Sequence, residues 1–318
     1  MADQQPQVVS GLQLWQWRSQ AMQGAIAAAV PPSEVDWLLQ EIAGLDRLAL
    51  RLEFFKDWDE IAIAISLADL EKLWQRRLHD RLPVQYIAGV TPWRKFKLAV
   101  SSAVLIPRPE TECIIDLAVV SISQSQAINP LDQGHWIDLG TGSGAIAIGL
   151  ADALPKATIH AVDYSTAALE IAQTNAQNLG FADRIHFYQG SWWEPLTTMK
   201  GQFSGMVSNP PYIPTATVAT LEPEVMQHEP HLALDGGVDG LDDIRYLIEV
   251  SPSYLRPGGV WLIEMMAGQA GAVRELLQNQ GSYCNIQIHT DLEGIERFAL
   301  AYVKGNREQV IGDRVLDI

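Results

Sequence analysis

The second half of the chain alternates between short apolar runs and longer stretches with helical periodicity. The apolar runs cover residues 136–139, 159–162, 185–188, 206–208 and 260–265, and helical stretches such as 167–179 and 270–278 separate most of them. Strands that alternate with helices in this way predict a parallel sheet covered on both faces. Two further extended runs, 285–289 and 297–303, are joined by the short loop 290–296 and predict an antiparallel hairpin at the edge of that sheet.

The first part of the chain has helical spacing instead and predicts a small helical bundle. Ser33 and Asp36 predict a capping box at the start of one helix, which should stop at Gly44. Ser66 and Asp69 repeat the start signal for a second helix, which should end before the proline at position 83. Residues 84–110 break this period and predict a linker that contains a β-hairpin.

Composition narrows the class of protein. The 318 residues are 47% hydrophobic, enough for a sizeable core, and 22 Lys and Arg against 38 Asp and Glu give a net charge of -16. Nucleic-acid binding normally depends on basic residues, so we expect no direct nucleic-acid binding. No apolar run approaches the roughly 20 residues of a membrane span, and no secretory signal is visible, so we expect no membrane association. The distant Cys113 and Cys284 argue against a disulfide framework or a zinc site and suit a cytoplasmic protein.

A glycine-rich loop connects the first predicted strand of the sheet to the following helix. Its residues are Gly140, Thr141, Gly142, Ser143 and Gly144. Asp163 stands at the end of the next strand, at the spacing of a nucleotide-binding fingerprint, where its carboxylate can accept hydrogen bonds from both hydroxyls of a ribose. The loop alone fits a dinucleotide as well. Asp138 favours S-adenosylmethionine, because a carboxylate would repel a pyrophosphate but tolerates a cationic sulfonium.

A stiff turn, Asn209-Pro210-Pro211-Tyr212, follows the fourth predicted strand. Ligands of open α/β sheets bind beyond the carboxyl ends of the strands, so the turn should face the cofactor. The prolines restrict the residues before them and point the Asn209 side-chain oxygen and the Pro210 carbonyl in fixed directions. Two acceptors suit a planar NH2 group, on which Tyr212 can stack. We predict methyl transfer to such a nitrogen, with Asn209, Pro210 and Tyr212 as the catalytic residues.

Several further segments follow the pattern of a known family. They are residues 81–89, 105–112, 229–230, 233–234, 236–237 and 239–241, in addition to the loop and the turn. With them the chain resembles the bacterial peptide chain release factor N5-glutamine methyltransferases, the HemK/PrmC family. The turn alone is shared with adenine and guanine N-methyltransferases, but the linker segment 105–112 is not.

The resemblance implies an α/β fold in three parts. A helical substrate-recognition domain would cover residues 1–83, and a linker with a β-hairpin would cover residues 84–112. A Rossmann-like, seven-stranded class I methyltransferase domain that depends on S-adenosylmethionine would cover residues 113–318.

The resemblance also implies the roles of the site residues. The family's cofactor-binding positions are matched by residues 140–144, Asp163, Trp192 and Asn209. Trp192 would pack near the adenine. The family's glutamine-binding positions are matched by Asn209, Pro210, Pro211 and Tyr212. The implied reaction is methyl transfer to the glutamine N5 in the Gly-Gly-Gln motif of class I release factors, without a metal.

The chain departs from the family pattern at two places. Ser191 stands where an acidic residue often precedes the aromatic one, and because both Trp192 and Trp193 follow, either could cover the adenine. Met265 and Met266 stand near a position where the family often has a glycine, and we expect them to fill the core.

Three other functions stay open. A glutamine methyltransferase for a ribosomal protein would share the loop and the turn. A nucleic-acid base methyltransferase is disfavoured by the net charge. A non-catalytic binding protein on a decayed methyltransferase fold is disfavoured because the glycine loop and Asn209 are intact.

Basic residues concentrate between Lys72 and Arg108, where Asp80 is the only acid. We expect this stretch to meet an acidic surface of the release factor and to steer association, with a solvated helix face as the alternative.

Overall fold

The computed structural model describes residues 7–125, 127 and 130–305, so most of the polar tail after Lys304 lies outside the described residues. The chain divides into two units. The first comprises the described residues up to Thr91 together with Val100–Ser102 and Leu221–Glu229, and the second comprises Pro92–Ala99, Ala103–Thr220 and the described residues from Pro230 onward. Within the described residues, no helix has the length and apolar character that crossing a membrane requires.

The first unit is a helical bundle with a small antiparallel sheet. Its elements are β1 (Gln7–Val9), α1 (Gly11–Ala27), α2 (Ser33–Ala43), α3 (Arg47–Leu52), β2 (Ile61–Ile63), α4 (Leu67–His79) and α5 (Val84–Ala88). β1 pairs with β2. The apolar positions of the helices meet in one core around Leu14, Leu38 and Trp74, which are fully buried. Burial of such side chains is the main source of stability for a unit of this kind.

The start of α2 differs from the prediction. Ser33 is already helical, the capping position is Pro32, and no side chain caps the helix. Asp36 accepts hydrogen bonds from Nε and Nη2 of Arg18 at 2.6 and 3.0 Å. The predicted capping box is therefore wrong, because a charged pair from another helix takes the carboxylate that would have closed it.

The remaining predictions for this part of the chain are mostly confirmed. Gly44 ends α2 in the left-handed conformation, and the Ser66 hydroxyl accepts a hydrogen bond from the backbone N–H of Asp69 at the start of α4. The prediction for residues 84–88 is wrong. We predicted a break in the helical period there, but these residues form the short helix α5. The predicted hairpin is present as β3 (Val90–Trp93) and β4 (Phe96–Ala99).

The second unit carries the sheet. The elements that follow β4 in the chain are α6 (Cys113–Gln124), β5 (Gln133–Leu139), α7 (Ala145–Ala153), β6 (Lys156–Asp163), α8 (Thr166–Asn178), β7 (Ile185–Gln189), β8 (Phe203–Ser208), α9 (Thr215–Val218), α10 (Pro223–His228, in the first unit), α11 (Asp242–Val250), β9 (Leu255–Glu264), α12 (Ala270–Gln280), β10 (Tyr283–Thr290) and β11 (Glu296–Val303). The seven-stranded sheet has the order β10-β11-β9-β8-β5-β6-β7. The predicted seven-stranded α/β fold is confirmed.

The pairing within this sheet also follows the prediction. The five strands from β9 to β7 run parallel, and β10 and β11 are antiparallel at one edge. Trp136 and Ile137 are neighbours on β5 but lie in different apolar clusters. Successive side chains of a strand point to opposite faces, so the sheet is buried on both faces.

Arg77 on α4 lies at the centre of a buried network of ion pairs in the first unit. Its guanidinium donates to both carboxylate oxygens of Glu34, at 2.7 and 2.8 Å, and to Oε1 of Glu224, at 2.7 Å. The Arg77 side chain is only 5% exposed. Arg81 pairs with the same Glu224 oxygen at 2.8 Å. These two arginines therefore stabilise the unit and do not offer free positive charge.

Other basic side chains of the stretch between Lys72 and Arg108 are paired as well. Lys72 pairs with Asp69, Arg76 with Asp80, Arg94 with Asp116 and Lys95 with Asp152. Lys97 and Arg108 also have interaction partners. The stretch is therefore not a patch of unbalanced positive charge, and the prediction that it steers an acidic partner loses its basis.

We predict that Arg77 and Arg76, which are adjacent on α4, differ sharply in their contribution to stability. Arg77→Met leaves two carboxylates without their buried cation and should lower the free energy of unfolding by about 3–5 kcal/mol. Arg76→Met breaks only an exposed pair and should cost less than about 1 kcal/mol. Urea unfolding of both variants measures the difference, and equal losses would contradict the buried network.

Candidate active site

The predicted site residues follow the carboxyl ends of neighbouring parallel strands. The glycine loop follows β5, Asp163 ends β6, and the Asn209 turn follows β8. β9, the next neighbour of β8, ends at Glu264. Parallel strands bring their carboxyl ends to one edge of the sheet, so these residues lie along one crevice.

The glycine loop is held by the carboxylate of Asp138. Oδ2 of Asp138 accepts hydrogen bonds from the hydroxyl of Thr141 at 2.6 Å and from the backbone N–H of Ala147 at 3.0 Å. Gly140, Gly142 and Gly144 have positive φ angles of 77°, 53° and 83°. Only glycine adopts that conformation without strain, which accounts for the spacing of the three glycines.

Asp138 itself is fully buried. Burial raises the pKa of this carboxyl to about 7, although the hydrogen bonds from Thr141 and Ala147 act in the opposite direction. Within the described residues, its second oxygen, Oδ1, has no hydrogen-bond donor. A buried acceptor without a donor is costly unless a ligand supplies one.

Asp163 connects the loop to the next helix. Its Oδ2 accepts a hydrogen bond from the backbone N–H of Gly142 at 2.8 Å, and its Oδ1 accepts one from Ser165 N–H at 2.9 Å. Burial raises the pKa of Asp163, and these hydrogen bonds oppose the rise. A carboxylate has about four acceptor positions, so both oxygens keep capacity for the hydroxyls of a ribose.

The two tryptophans occupy different environments. Trp193 is fully buried, stacks on Tyr254 with ring centroids 4.4 Å apart, and donates from Nε1 to Ser251 Oγ at 3.1 Å. Trp193 is therefore a core residue. Trp192 is half-buried, and its ring lies 3.4 Å from the point where a Cβ on Gly140 would stand.

Trp192 lies beside the loop in an uncommon backbone conformation. Its backbone adopts a φ of 51°, a conformation that is rare for a large side chain. Burial raises the pKa of Asp243 on α11, and the neighbouring Trp192 side chain opposes the rise. Of the two tryptophans, only Trp192 has its ring at the glycine loop.

These residues fit S-adenosylmethionine. The molecule carries an ammonium group, a sulfonium and a ribose diol, which need acceptors or negative potential, and an adenine, which stacks on aromatic rings. The free capacity of Asp163 supplies acceptors beside the loop, and the buried Asp138 holds the loop in place. A Cβ on Gly142 would meet nothing within 4 Å, so the backbone there is open to a ligand. In the part of the chain that the structure describes, no group of His, Cys, Asp and Glu side chains could hold a metal ion.

The turn after β8 is anchored from both sides. Nδ2 of Asn209 donates to the hydroxyl of Thr111 at 3.3 Å, and the Tyr212 hydroxyl donates to Oε1 of Glu264 at 3.0 Å. The same Glu264 accepts a hydrogen bond from Thr111 through Oε2 at 2.6 Å. Gln269 donates to the backbone carbonyl of Tyr212 at 3.0 Å. Burial and the neighbouring Glu264 raise the pKa of Tyr212, so its hydroxyl stays protonated.

Three of these anchoring residues, Thr111, Glu264 and Gln269, were not predicted as part of the site. Thr111 lies in the linker segment, but nothing in its spacing indicates a contact with Asn209. Glu264 ends a predicted strand, which was the available signal, since residues at that edge of the sheet face ligands. Gln269 carries no signal in the sequence. Met265 is fully buried, as expected of a core residue, whereas Met266 is only half-buried and belongs to no core cluster among the described residues.

We predict that Asp163→Ala weakens the affinity for S-adenosylmethionine by about 1.5–3 kcal/mol, because a charged acceptor is lost. Asp163→Asn keeps one acceptor oxygen, so its affinity for S-adenosylmethionine should lie between that of Asp163→Ala and that of the unsubstituted protein. Asp183→Ala, at an exposed position, should leave the affinity unchanged. Isothermal titration calorimetry measures all three, and equal affinities would show that Asp163 only holds the loop.

Comparison with known proteins agrees with this geometry. The family model described as methyltransferase small domain matches residues 122–238, which include the glycine loop, Asp163 and the Asn209 turn. Among solved structures, the catalytic domain of hMettl16 in complex with the MAT2A 3'UTR hairpin 6 aligns with a TM-score of 0.53 at 15% identity. The alignment covers 78% of this chain and 86% of that chain and shows a shared fold.

Curated relatives extend the similarity over nearly the whole chain. The release factor glutamine methyltransferase of Synechocystis sp. is 54% identical over 92% of this chain and 97% of its own length. Those of Thermosynechococcus vestitus and Gloeobacter violaceus are 47% and 43% identical, each over 90% of this chain and 96% of their own length. This chain therefore belongs to the release factor glutamine methyltransferase family, whose members depend on S-adenosylmethionine.

Proposed function

We propose that the protein transfers a methyl group from S-adenosylmethionine to the N5 amide nitrogen of the glutamine in the Gly-Gly-Gln motif of class I release factors. The names of the curated relatives support release factors as the substrate. One observation on this chain carries the chemistry. The Asn209 amide is fixed through its nitrogen, which leaves its oxygen as an acceptor beside the Pro210 carbonyl.

The two acceptors suit the two hydrogens of a primary amide. Within the described residues, neither Asn209 Oδ1 nor the Pro210 carbonyl receives a hydrogen bond. An amide nitrogen is a weak nucleophile because its lone pair is delocalised into the carbonyl. Hydrogen bonds from both N–H groups to fixed acceptors return electron density to the nitrogen and align it for attack.

S-adenosylmethionine, when bound, supplies an electrophilic methyl group whose bond to sulfur breaks as the nitrogen–carbon bond forms, with the electron pair passing to sulfur. Asp163 and Trp192 would hold and orient it beside the loop that Asp138 fixes. Asn209 and Pro210 hold the amide, and one N–H proton leaves once the nitrogen carries the methyl group. The anchored Tyr212 provides a ring for the planar amide to pack against.

The first unit is proposed to recognise the body of the release factor, which would make this reaction part of translation termination in the cytoplasm. All residues assigned to the cofactor and to the amide belong to the second unit. A shortened chain that begins near Ser101 would be a poor test of this proposal. The segment Leu221–Glu229 would lose Arg77 and Arg81, the partners of Glu224, and the loss of folding would be confused with the loss of recognition.

A direct test is mass spectrometry of release factor after incubation with the protein and S-adenosylmethionine. We expect one added methyl group on the peptide that contains Gly-Gly-Gln, and none when that glutamine is replaced by glutamate. Methylation of a ribosomal protein but not of release factor would favour the alternative glutamine methyltransferase. Methylation of a nucleic-acid base would favour a base methyltransferase.

We predict that Asn209→Ala lowers kcat for release factor by a factor of roughly 100 or more, comparable to the loss of one preorganised polar contact in other enzymes. The affinity for S-adenosylmethionine should change much less. Asn279→Ala, an exposed position on α12, serves as the matched control and should keep full activity. Near-normal turnover of Asn209→Ala would rule out the two-acceptor mechanism.

We predict that a short peptide containing Gly-Gly-Gln is a much poorer substrate than intact release factor, with the difference mainly in kcat/KM. The peptide can reach the amide-binding turn but cannot contact the first unit, so it loses the binding energy that remote contacts supply. Steady-state kinetics with both substrates measures the ratio. Equal values of kcat/KM would contradict a recognition role for the first unit.

A further inference from the structure

We propose that Thr111 and Glu264 are positioning residues that determine which end of the Asn209 side-chain amide faces the substrate. The inference rests on the proposed function, because it concerns the acceptor that holds the target amide. It assigns a role to two residues that contact neither the target nitrogen nor the methyl group.

The orientation of this amide decides whether the site works. The oxygen and the nitrogen of an asparagine side chain have nearly the same shape, but the oxygen only accepts hydrogen bonds and the nitrogen only donates them. With the oxygen outward, Asn209 accepts a hydrogen from the target NH2 group. With the nitrogen outward, two donors face each other and the target is rejected. A site of this kind therefore needs a device that selects one of the two orientations.

The hydroxyl of Thr111 is that device. Its single proton is directed at Oε2 of Glu264, at a distance of 2.6 Å, which is typical of an O–H group that donates to a carboxylate. Toward Asn209 the hydroxyl oxygen can then only accept, so Nδ2 must face it, at 3.3 Å. The opposite orientation would place two oxygens against each other.

Glu264 keeps the direction of the chain of hydrogen bonds. It is 1% exposed, and its other oxygen accepts from the Tyr212 hydroxyl at 3.0 Å. Burial raises the pKa of this carboxyl, while the two O–H donors and the nearby Arg297 lower it. Both of its oxygens accept from O–H groups, so the ionised Glu264 fixes the polarity of every bond from Glu264 through Thr111 to Asn209.

The first test compares two substitutions of the buried Thr111. Thr111→Val keeps the shape but removes the hydroxyl, and we expect kcat to fall about tenfold, the scale of one hydrogen bond. Thr111→Ser keeps the hydroxyl and should restore most of the activity. The affinity for S-adenosylmethionine should be unchanged in both. Equal kcat values for Thr111→Val and Thr111→Ser would overturn the proposal, because a packing role would not distinguish them by the hydroxyl.

The second test reverses the direction of the hydrogen bonds that join Glu264, Thr111 and Asn209. In Glu264→Gln, an amide oxygen directed at Tyr212 turns the new NH2 group toward Thr111, whose proton must then point at Asn209. Asn209 would turn its nitrogen to the substrate, and activity should fall. Asn209→Asp alone places a carboxylate oxygen against the Thr111 oxygen and should also lose activity.

In the double variant Asn209→Asp with Glu264→Gln, every hydrogen bond from residue 264 through Thr111 to residue 209 again pairs a donor with an acceptor. Thr111 accepts from the introduced glutamine and donates to the introduced aspartate, which keeps one oxygen for the substrate. The number of carboxylates is the same as in the original chain. We expect the double variant to be more active than either single variant, whereas losses that multiply would overturn the proposal.

A measurement without substrate separates this inference from the proposed function. In an isotope-labelled sample, the side-chain NH2 of Asn209, assigned by its disappearance in Asn209→Asp, should exchange slowly with solvent while Thr111 or a serine is present. It should exchange faster in Thr111→Val. Slow exchange in all variants would overturn the inference. If release factor is not methylated by the original chain, the proposed function fails, and the exchange result still decides whether Thr111 orients the amide.

Discussion

The site depends on carboxylates that are held in the interior at the ends of parallel strands. Asp138, the next-to-last residue of β5, is fully buried, with one oxygen bound to the loop and the other without a donor among the described residues. Glu264 ends another strand with 1% exposure and two O–H donors. Removing a carboxylate from water is costly unless hydrogen bonds compensate for it. The surrounding loop and turn take the conformations that supply those hydrogen bonds.

Buried carboxylates fix the surrounding groups in both halves of the site, the cofactor side and the substrate side. On the cofactor side, Asp138 and Asp163 bind backbone and hydroxyl groups of the glycine loop, so the loop is rigid before any ligand arrives. On the substrate side, Glu264 fixes Tyr212 directly and Asn209 through Thr111. Rigid polar groups contribute most to a reaction because they need no reorganisation in the transition state.

The sequence predicts the strands and the glycine loop of this site better than the side-chain contacts between distant parts of the chain. The strands and the glycine loop are confirmed because hydrophobic runs and glycines act locally. The capping box at Ser33 fails because Arg18, from another helix, binds Asp36. The basic stretch is misjudged because Arg77 finds Glu34 and Glu224, which lie 43 and 147 positions away in the chain. Partners at such distances leave no periodic signal.

The hydrogen bond between Thr111 and Glu264 joins residues 153 positions apart in the chain. A contact at that separation also leaves no periodic signal in the sequence. The residue types of the turn indicate which atoms could accept hydrogens from an amide, and this inference needs only Asn209 and its prolines. Which of the two ends of the Asn209 amide points outward depends on a hydroxyl and a carboxylate from elsewhere in the chain.

Most polar groups of the turn after β8 have hydrogen-bond partners within the protein. The Tyr212 carbonyl accepts a hydrogen bond from Gln269, and the Tyr212 hydroxyl donates one to Glu264. The side-chain nitrogen of Asn209 donates to Thr111. Ile213 is bound through both its N–H and its carbonyl to the segment 234–236. In the described part of the chain, Asn209 Oδ1 and the Pro210 carbonyl are among the acceptors of the turn that receive no hydrogen bond. Polar groups of a folded protein are normally satisfied, so a pair left open on a rigid turn is matched to a ligand with two hydrogens to donate. A primary amide meets that requirement, and once methylated it has one hydrogen fewer, so the same pair of acceptors holds the product less tightly than the substrate.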